Sequence, residues 1–299
     1  MRTREEKRFQ IIGHIIMILL TLLALVPILL MFISSLTDNA TLLQNGYSFA
    51  PAKWSTYAYQ WVFTSNGGTI LRAYGMSFLV TAAGTVCNLM LTTLLGYGLS
   101  KKDLPGRGVL TFLVFFTMLF NGGLVPTYIN YTNVFHIKDT VWALLVPNLL
   151  LSAFNVLLTK SYFEKGIPGE ILEAAYIDGA DEFKTMWRVA VPMAKPIIAT
   201  VAMFAGIAYW NDWNNGFIYL VKNTNLYTIQ NLLNRLMQNI QALSSNASSV
   251  SNVTQGLAAI PAATVRMAMA TLGILPIIVV YPFIQKNFVK GITLGGVKG

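Results

Sequence analysis

Charge is what this chain most lacks. Asp, Glu, Lys and Arg supply only 11 % of its 299 residues, against roughly 25 % in an ordinary soluble protein. So few charges cannot wet the surface of a chain this long. A disordered chain, a nucleic-acid-binding domain and a soluble enzyme are all excluded. Cysteine is nearly missing as well. A single thiol, Cys87, forms neither an internal disulfide nor a paired-cysteine site, and its place in an apolar run reads as packing. The two histidines, His14 and His136, fall on opposite sides of the expected membrane and share no metal site. A phosphate-binding loop of the form G-x-x-x-x-G-K-[ST] is also missing. The nearest stretch, Gly96-Tyr-Gly-Leu-Ser-Lys-Lys, lacks the second glycine and the spacing.

What the chain has in plenty is apolar residues, 55 % of the total. A helix needs about 20 of them to cross the hydrocarbon core. Six runs qualify, at about 11–33, 74–99, 109–129, 140–158, 196–220 and 261–284. The expected fold class is all-α: a polytopic membrane protein with six transmembrane helices in one domain over residues 1–299. The first run follows a basic leader, Arg2, Arg4, Lys7 and Arg8. It is too long for a signal peptide and no small-residue cleavage site follows, so it reads as an uncleaved helix. Pro27, Pro126, Pro147, Pro276 and Pro282 lie inside the runs. Such prolines suit kinked helices around a cavity, and plain bundles also carry them.

Lys and Arg set the orientation. Fifteen lie on the side of the termini and six on the other, so both termini are expected in the cytoplasm. Two outer segments are long. One holds Pro51, Trp54, Tyr57, Tyr59 and Trp61, an aromatic set that suits the membrane interface. The other covers residues 221–260. Its apolar positions Leu226, Ile229, Leu232, Leu233, Leu236, Met237 and Ile240 recur at helical spacing. They predict an amphipathic helix lying on the outer surface. Ser244 to Gln255, with Asn246 and Asn252, is rich in Ser and Asn and reads as a mobile loop.

The inner stretch at about 166–192 is too polar to span and too patterned for a linker. Pro168 and Glu170 suit the first turn of a helix. Ile171, Leu172, Ala175 and Tyr176 make one apolar face. Gly179 can end that helix by taking a positive φ. Asp181 can cap a second short helix, Glu182 to Val189, and Pro192 is expected to break the chain before the fifth run. The product is a helix–glycine–helix elbow, equally consistent on these grounds with a docking surface or an inert hairpin.

This stretch resembles the EAA loop of binding-protein-dependent ABC importer permeases. The matching residues are Glu173-Ala174-Ala175, then Gly179, then Val189-x-Val191-Pro192, all at the family's spacing. Pro51-Ala-Lys-Trp54-Ser-x-Tyr57 and the ending Lys290-Gly291-Ile-Thr293-Leu-Gly295-Gly-Val297-Lys298-Gly299 resemble the carbohydrate, maltose-permease-like branch, second permease subunit. The stretch from Gln255-Gly-Leu-Ala-Ala to Phe288-Val-Lys is most similar to the subgroup for complex oligosaccharides.

The resemblance implies a type I importer permease fold in the bacterial cytoplasmic membrane. Glu173, Ala174, Ala175, Asp178, Gly179 and Pro192 would couple to a cytosolic ATPase dimer. The tail 285–299, with Lys290, Gly291, Thr293 and Lys298, would reach toward that ATPase. The chain itself would bind no cofactor, since ATP and Mg would be held by the ATPase. Ser244, Asn246, Asn252 and Gln255 would face an extracellular substrate-binding protein or lipoprotein. A homologous second permease would complete the pair.

Substrate contacts are drawn from Trp210, Asn211, Asp212 and Trp213 at the outer end of the fifth run, with Arg266 and Asn121. Aromatic faces stack on sugars and amides bond hydroxyls, but the same residues suit an interfacial belt. Asp212 and Arg266 read either as a structural ion pair or as path-lining groups. Asn148, beside Pro147, is a weaker cavity candidate. A non-sugar importer and an ion-coupled secondary transporter remain the alternatives. The second would call for inverted repeats and carboxylates deep in several helices, and Asp212 is the only acid within any run.

Overall fold

The computed structural model describes residues 4–247 and 262–295. They are mostly helical, with no strand among them beyond the bridging pair Thr37 and Trp54. Two compact units arise: residues 1–70 with 233–275, and residues 71–232 with 276–299.

In the first unit, α1 (Arg4–Ser35) is largely apolar from Ile11 to Ile33, and most side chains there are exposed, as in a helix meeting lipid. His14 satisfies its ring nitrogen on the Gln10 carbonyl at 2.6 Å. Asp38 caps α2 (Asn39–Asn45) and pairs with Lys53 at 3.4 Å. The expected aromatic belt is in part helix, since α3 (Tyr57–Ser100) starts at Tyr57 and runs 44 residues. There the Tyr59 hydroxyl meets Ser35 Oγ at 2.7 Å. Cys87 on α3 is exposed rather than packed, because its face of the helix points away from the protein.

Among the described residues three helices are long and apolar enough to cross a membrane unbroken. Two bent helix pairs raise the number to five. The run at 109–129 is one of the bent pairs. It divides into α4 (Arg107–Leu119) and α5 (Leu124–Ile129), which a wide turn extends to Val134, and the chain bends by 117° between them. The cause is local. Asn121 Oδ1 accepts the Gly123 N–H at 2.8 Å, and Gly123 takes φ 88°, a conformation open to glycine at no steric cost. Asn121 is thus an exposed turn-former.

The run at 140–158 is interrupted too. It comprises α6 (Trp142–Leu145), an irregular stretch, and α7 (Ala153–Gly166). Pro147 lacks an N–H and disfavours helix at the residue before it. Asn148 then adopts φ 60°. After α7 come α8 (Gly169–Ile177), α9 (Glu182–Thr185), a π turn at Met186–Ala190, α10 (Val191–Met193) and α11 (Lys195–Asn211). Pro192 does not break the chain. The π turn's i→i+5 bonds widen the helix just before it, so its missing N–H disturbs less. The 81° bend falls at Ala194 instead.

The fifth run ends its helix at Asn211. Asp212 Oδ1 accepts the N–H groups of Asn214 and Asn215 at 3.2 and 3.3 Å and starts α12 (Asn214–Tyr219). Asp139 performs a similar service. Its Oδ1 accepts the N–H groups of Val221, Lys222 and Asn223 at 2.7, 2.8 and 3.2 Å.

The outer amphipathic helix forms as α13 (Ile229–Ala247), but it does not float on a surface. Ile229, Leu232, Leu233 and Ile240 are buried in protein. Its first turn is tied down by Ser77 Oγ, which accepts the Ile229 N–H at 2.7 Å. Ser244 and Asn246, expected in a loop, belong to the last turns of this helix. Asn252 and Gln255 lie outside the described residues. The last element, α14 (Ala262–Gly295), carries Pro276 and Pro282 inside it. Lys290, Gly291 and Thr293 are on its helical backbone, and Lys298 lies outside the described residues.

Candidate functional site

The elbow is built in the second unit. Helix α8 stops in a paired-bond cap: the Ala180 N–H reaches the Ala175 carbonyl and the Gly179 N–H the Tyr176 carbonyl, both at 3.0 Å. This closure needs a left-handed residue after the helix, and Gly179 supplies it at φ 82°. Asp181 Oδ1 then accepts the Lys184 N–H at 2.7 Å and caps α9. Glu173, Ala174, Asp178, Gly179 and Pro192 are exposed, and Ala175 is half-buried. Beside them Ile177 is 87 % exposed and Phe183 65 %, with Trp187 set edge-on to Phe183 at 6.1 Å. Large apolar side chains grouped this way on a charged face are the kind of exposed patch found at interaction sites.

The elbow is not free to swing alone. Its far side, through Met186 and Ala190 of the π turn, packs on Tyr97 of α3, Phe163 of α7, Ile167 just after it and Ile197 of α11 in one buried cluster. Lys101, just past α3, then joins both arms. Its Nζ donates to the Tyr176 hydroxyl at 2.6 Å and pairs with Glu182 Oε1 at 2.9 Å. The Tyr176 hydroxyl donates to Glu182 Oε2 at 2.5 Å. The ammonium also lies 4.6 Å from the centre of the Tyr97 ring, an added cation–π attraction. Next to it, Glu164 on α7 pairs with Arg107 of α4 and with Lys160 at 2.9 Å, while Arg107 Nε donates to the Leu99 carbonyl at 2.8 Å. Sequence reasoning missed this cluster, because nothing in the spacing joins Lys101 to residues 75 and more positions away.

Burial works against both charges of the Lys101–Glu182 pair, but the Tyr176 hydrogen bonds and the pair's own attraction outweigh it. Lys101 is held above the usual ammonium value and Glu182 below the usual carboxylate value. The pair therefore contributes fully between the two ordinary values. It fades as pH falls through the depressed Glu182 value or rises through the raised Lys101 value. Lys101→Met and Glu182→Gln are each expected to lower partner-stimulated ATPase activity of the assembled complex by about threefold to tenfold. The double variant should lose little more than either single one, because both remove the same contact. Independent, additive losses in that assay would mean that the two residues do not act together.

The interrupted stretch after α6 has its own support. The Tyr209 hydroxyl donates to the Leu145 carbonyl at 2.8 Å, and Asn215 Nδ2 to the Pro147 carbonyl at 2.9 Å. Asn88 Nδ2 donates to the carbonyls of Leu149 and Leu150 at 2.8 and 3.2 Å. All three donors are buried.

The residues expected to touch substrate have different surroundings. Trp210 is buried, its ring 5.2 Å from Phe78, and it lines an apolar cavity of about 600 Å³ with Thr81, Thr85, Met203 and Gly206. Asn211 and Trp213 are exposed. The Asp212 carboxylate is occupied by its own turn. Arg266 lies half-buried on α14 in the other unit.

Long apolar helices, two bent helix pairs and an exposed, glycine-capped elbow suit an integral membrane transport subunit. The chain belongs to the binding-protein-dependent transport system inner membrane component family, whose model matches residues 3–294. In this family ATP hydrolysis rests with a separate subunit. The chain is 34 % identical to Protein LplC of Bacillus subtilis over 277 residues, covering 93 % of this chain and 90 % of that protein. It is 31 % identical to the polygalacturonan/rhamnogalacturonan transport system permease protein YtcP of the same organism, covering 99 % and 100 %. It also resembles a chain of a bacterial ABC transporter that imports the acidic polysaccharide alginate, with TM-score 0.77 and 28 % identity over 96 % of this chain and 99 % of that one.

Proposed function

We propose that this chain is a translocation subunit of an ATP-driven importer of oligosaccharides in the bacterial cytoplasmic membrane. It crosses the membrane six times, with the third and fourth crossings interrupted, and keeps both termini inside. The elbow, with Glu173, Ala174, Ala175, Asp178, Gly179 and Pro192, seats on a cytosolic ATPase dimer that holds ATP and Mg. The helix end carrying Lys290, Gly291 and Thr293, followed by Lys298, lies toward that ATPase. A homologous second permease completes the pore. An extracellular binding protein or lipoprotein delivers the sugar to the outer face near Ser244, Asn246, Asn252 and Gln255.

The observation that carries this reading is the glycine-capped elbow, with its uncovered apolar side chains and its Lys101 tie to α3. Similarity to the alginate and polygalacturonan/rhamnogalacturonan transporters makes oligosaccharides from such polymers the first substrates to test. A tag on this chain should recover a second permease and an ATPase from detergent extracts. The associated binding protein should then bind oligosaccharides in calorimetry. A binding protein that takes only peptides or polyamines would refute the sugar assignment.

A further inference from the structure

Two of the apolar runs meet at one basic cluster. The run at 109–129 begins just after Arg107, the first residue of α4, and the run at 140–158 stops just before Lys160 on α7. Helices α4 and α7 pack together, which brings both ends to one place at the rim of the apolar zone. Glu164, one turn past Lys160, is the carboxylate they share. Its Oε1 pairs with the Arg107 guanidinium and with Lys160 Nζ at 2.9 Å. Lys165, the next residue, is exposed and adds a third positive charge.

One carboxylate therefore serves three cations. Among the described residues no other carboxylate pairs with them. An arginine carries five N–H donors and a lysine three. Here the Leu99 carbonyl and Glu164 engage two guanidinium nitrogens, and Glu164 engages the Lys160 ammonium. The remaining donors are left for another acceptor. The imbalance acts on Lys160. Burial first, and then the charges of Arg107 and Lys165, hold its ammonium below the usual value.

The surroundings select the kind of anion that restores the balance. Val109, Phe112, Leu113 and Phe116 follow Arg107 at helical spacing and stand exposed on one face of α4. A group of cations followed at once by an exposed apolar face matches a phospholipid, whose phosphate and acyl chains come in that order. A free phosphate would leave the apolar face unused. Basic pockets between membrane helices on the cytoplasmic side are suited to anionic headgroups. Gly108 also leaves open space where a Cβ would stand, so a headgroup can approach the backbone there.

We propose that Arg107, Lys160 and Lys165 form a binding site for the phosphate of an anionic phospholipid, whose acyl chains lie along α4. Glu164 sets the strength of the site, because it orders Arg107 and Lys160 while cancelling one of the positive charges. Placement in the cytoplasmic leaflet rests on the orientation proposed above, and the site itself does not.

The test is lipid binding to the detergent-purified complex recovered through this chain. Native mass spectrometry reads it as phosphatidylglycerol or phosphatidylcholine is added. No ATP, sugar or binding protein is needed, so failure here and failure of the transport reading are separate results. The parent should bind phosphatidylglycerol more tightly than phosphatidylcholine. A cation at a membrane surface contributes about fivefold to such binding. Lys160→Gln should therefore lower phosphatidylglycerol affinity about fivefold and leave phosphatidylcholine unchanged. Lys165→Gln, which alters only an exposed side chain, should do the same. Glu164→Gln should raise the affinity, a direction that a merely structural cluster would not give. Equal binding of the two lipids by the parent would overturn the proposal, as would lysine variants that bind phosphatidylglycerol like the parent. Weaker binding by Glu164→Gln would overturn the role given to its carboxylate. Displacement of the lipid by inorganic phosphate would assign the site to a soluble anion instead.

Discussion

Replacing Gly179 by valine is expected to lower both uptake and partner-stimulated ATP hydrolysis while leaving the chain inserted and assembled. Gly179 holds φ 82°, and a Cβ built there meets nothing within 4 Å. Bulk is therefore not the issue, and the whole penalty is conformational. A left-handed backbone costs an L-residue about 1–2 kcal/mol, and it is worst for β-branched side chains. That strain falls on the cap that sets the angle between α8 and α9, and hence on the presentation of Ile177 and Phe183. A cost of this size shifts the population of the working elbow by roughly fivefold to thirtyfold. Uptake should fall to about a tenth or less with valine. Alanine should be milder, and asparagine, which visits this region more easily, milder still. Measured uptake and partner-stimulated ATPase activity should follow that order. A valine variant as active as the parent would separate the glycine from coupling.

The second large effect lies in the membrane. Gly84 of α3 faces Tyr209 so closely that a Cβ there would come within 2.5 Å of the ring. Tyr209 is 2 % exposed, and its hydroxyl satisfies the Leu145 carbonyl at the end of α6, where the chain turns irregular. Gly84→Val must therefore push the ring aside. Overpacking of this kind costs about 1–3 kcal/mol, and leaving the carbonyl unpaired adds about 1–3 kcal/mol. The purified complex should melt well below the parent or fail to assemble. Tyr209→Phe removes the hydrogen bond without the clash, so its loss should be the smaller of the two. Thermal unfolding of the two variants in detergent checks both the size and the order. Equal melting of parent and Gly84→Val complexes would show that α3 and α11 are looser than their packing implies.

The elbow was legible in the sequence because its signals are local. A proline before the first turn, a glycine at the end of an apolar face and an aspartate ahead of the next helix lie within fifteen residues of one another. The structure adds the Tyr176 and Ala175 carbonyls as the partners of that cap. The Lys101 cluster was not legible, since it joins the end of α3 to residues far along the chain. The interruptions of the apolar runs at 109–129 and 140–158 were half visible. Pro147 and the Asn121-Gly122-Gly123 stretch marked weak points, but hydropathy alone cannot tell a kink from a 117° reversal. The amphipathic stripe of α13 gave the helix correctly and its surroundings wrongly. Periodicity shows which face is apolar, and protein or lipid can cover it equally well. The substrate candidates around Trp210 shared aromatic and amide chemistry, and the structure distributes them among burial, a local turn and exposed positions.

The most direct test of the account is reconstitution of this chain with its second permease, ATPase and binding protein in proteoliposomes, followed by uptake of a labelled oligosaccharide. The expected result is uptake that requires ATP, the binding protein and this chain together, and that falls with Gly179→Val. Uptake by this chain alone, driven by a proton or sodium gradient and indifferent to ATP, would contradict it.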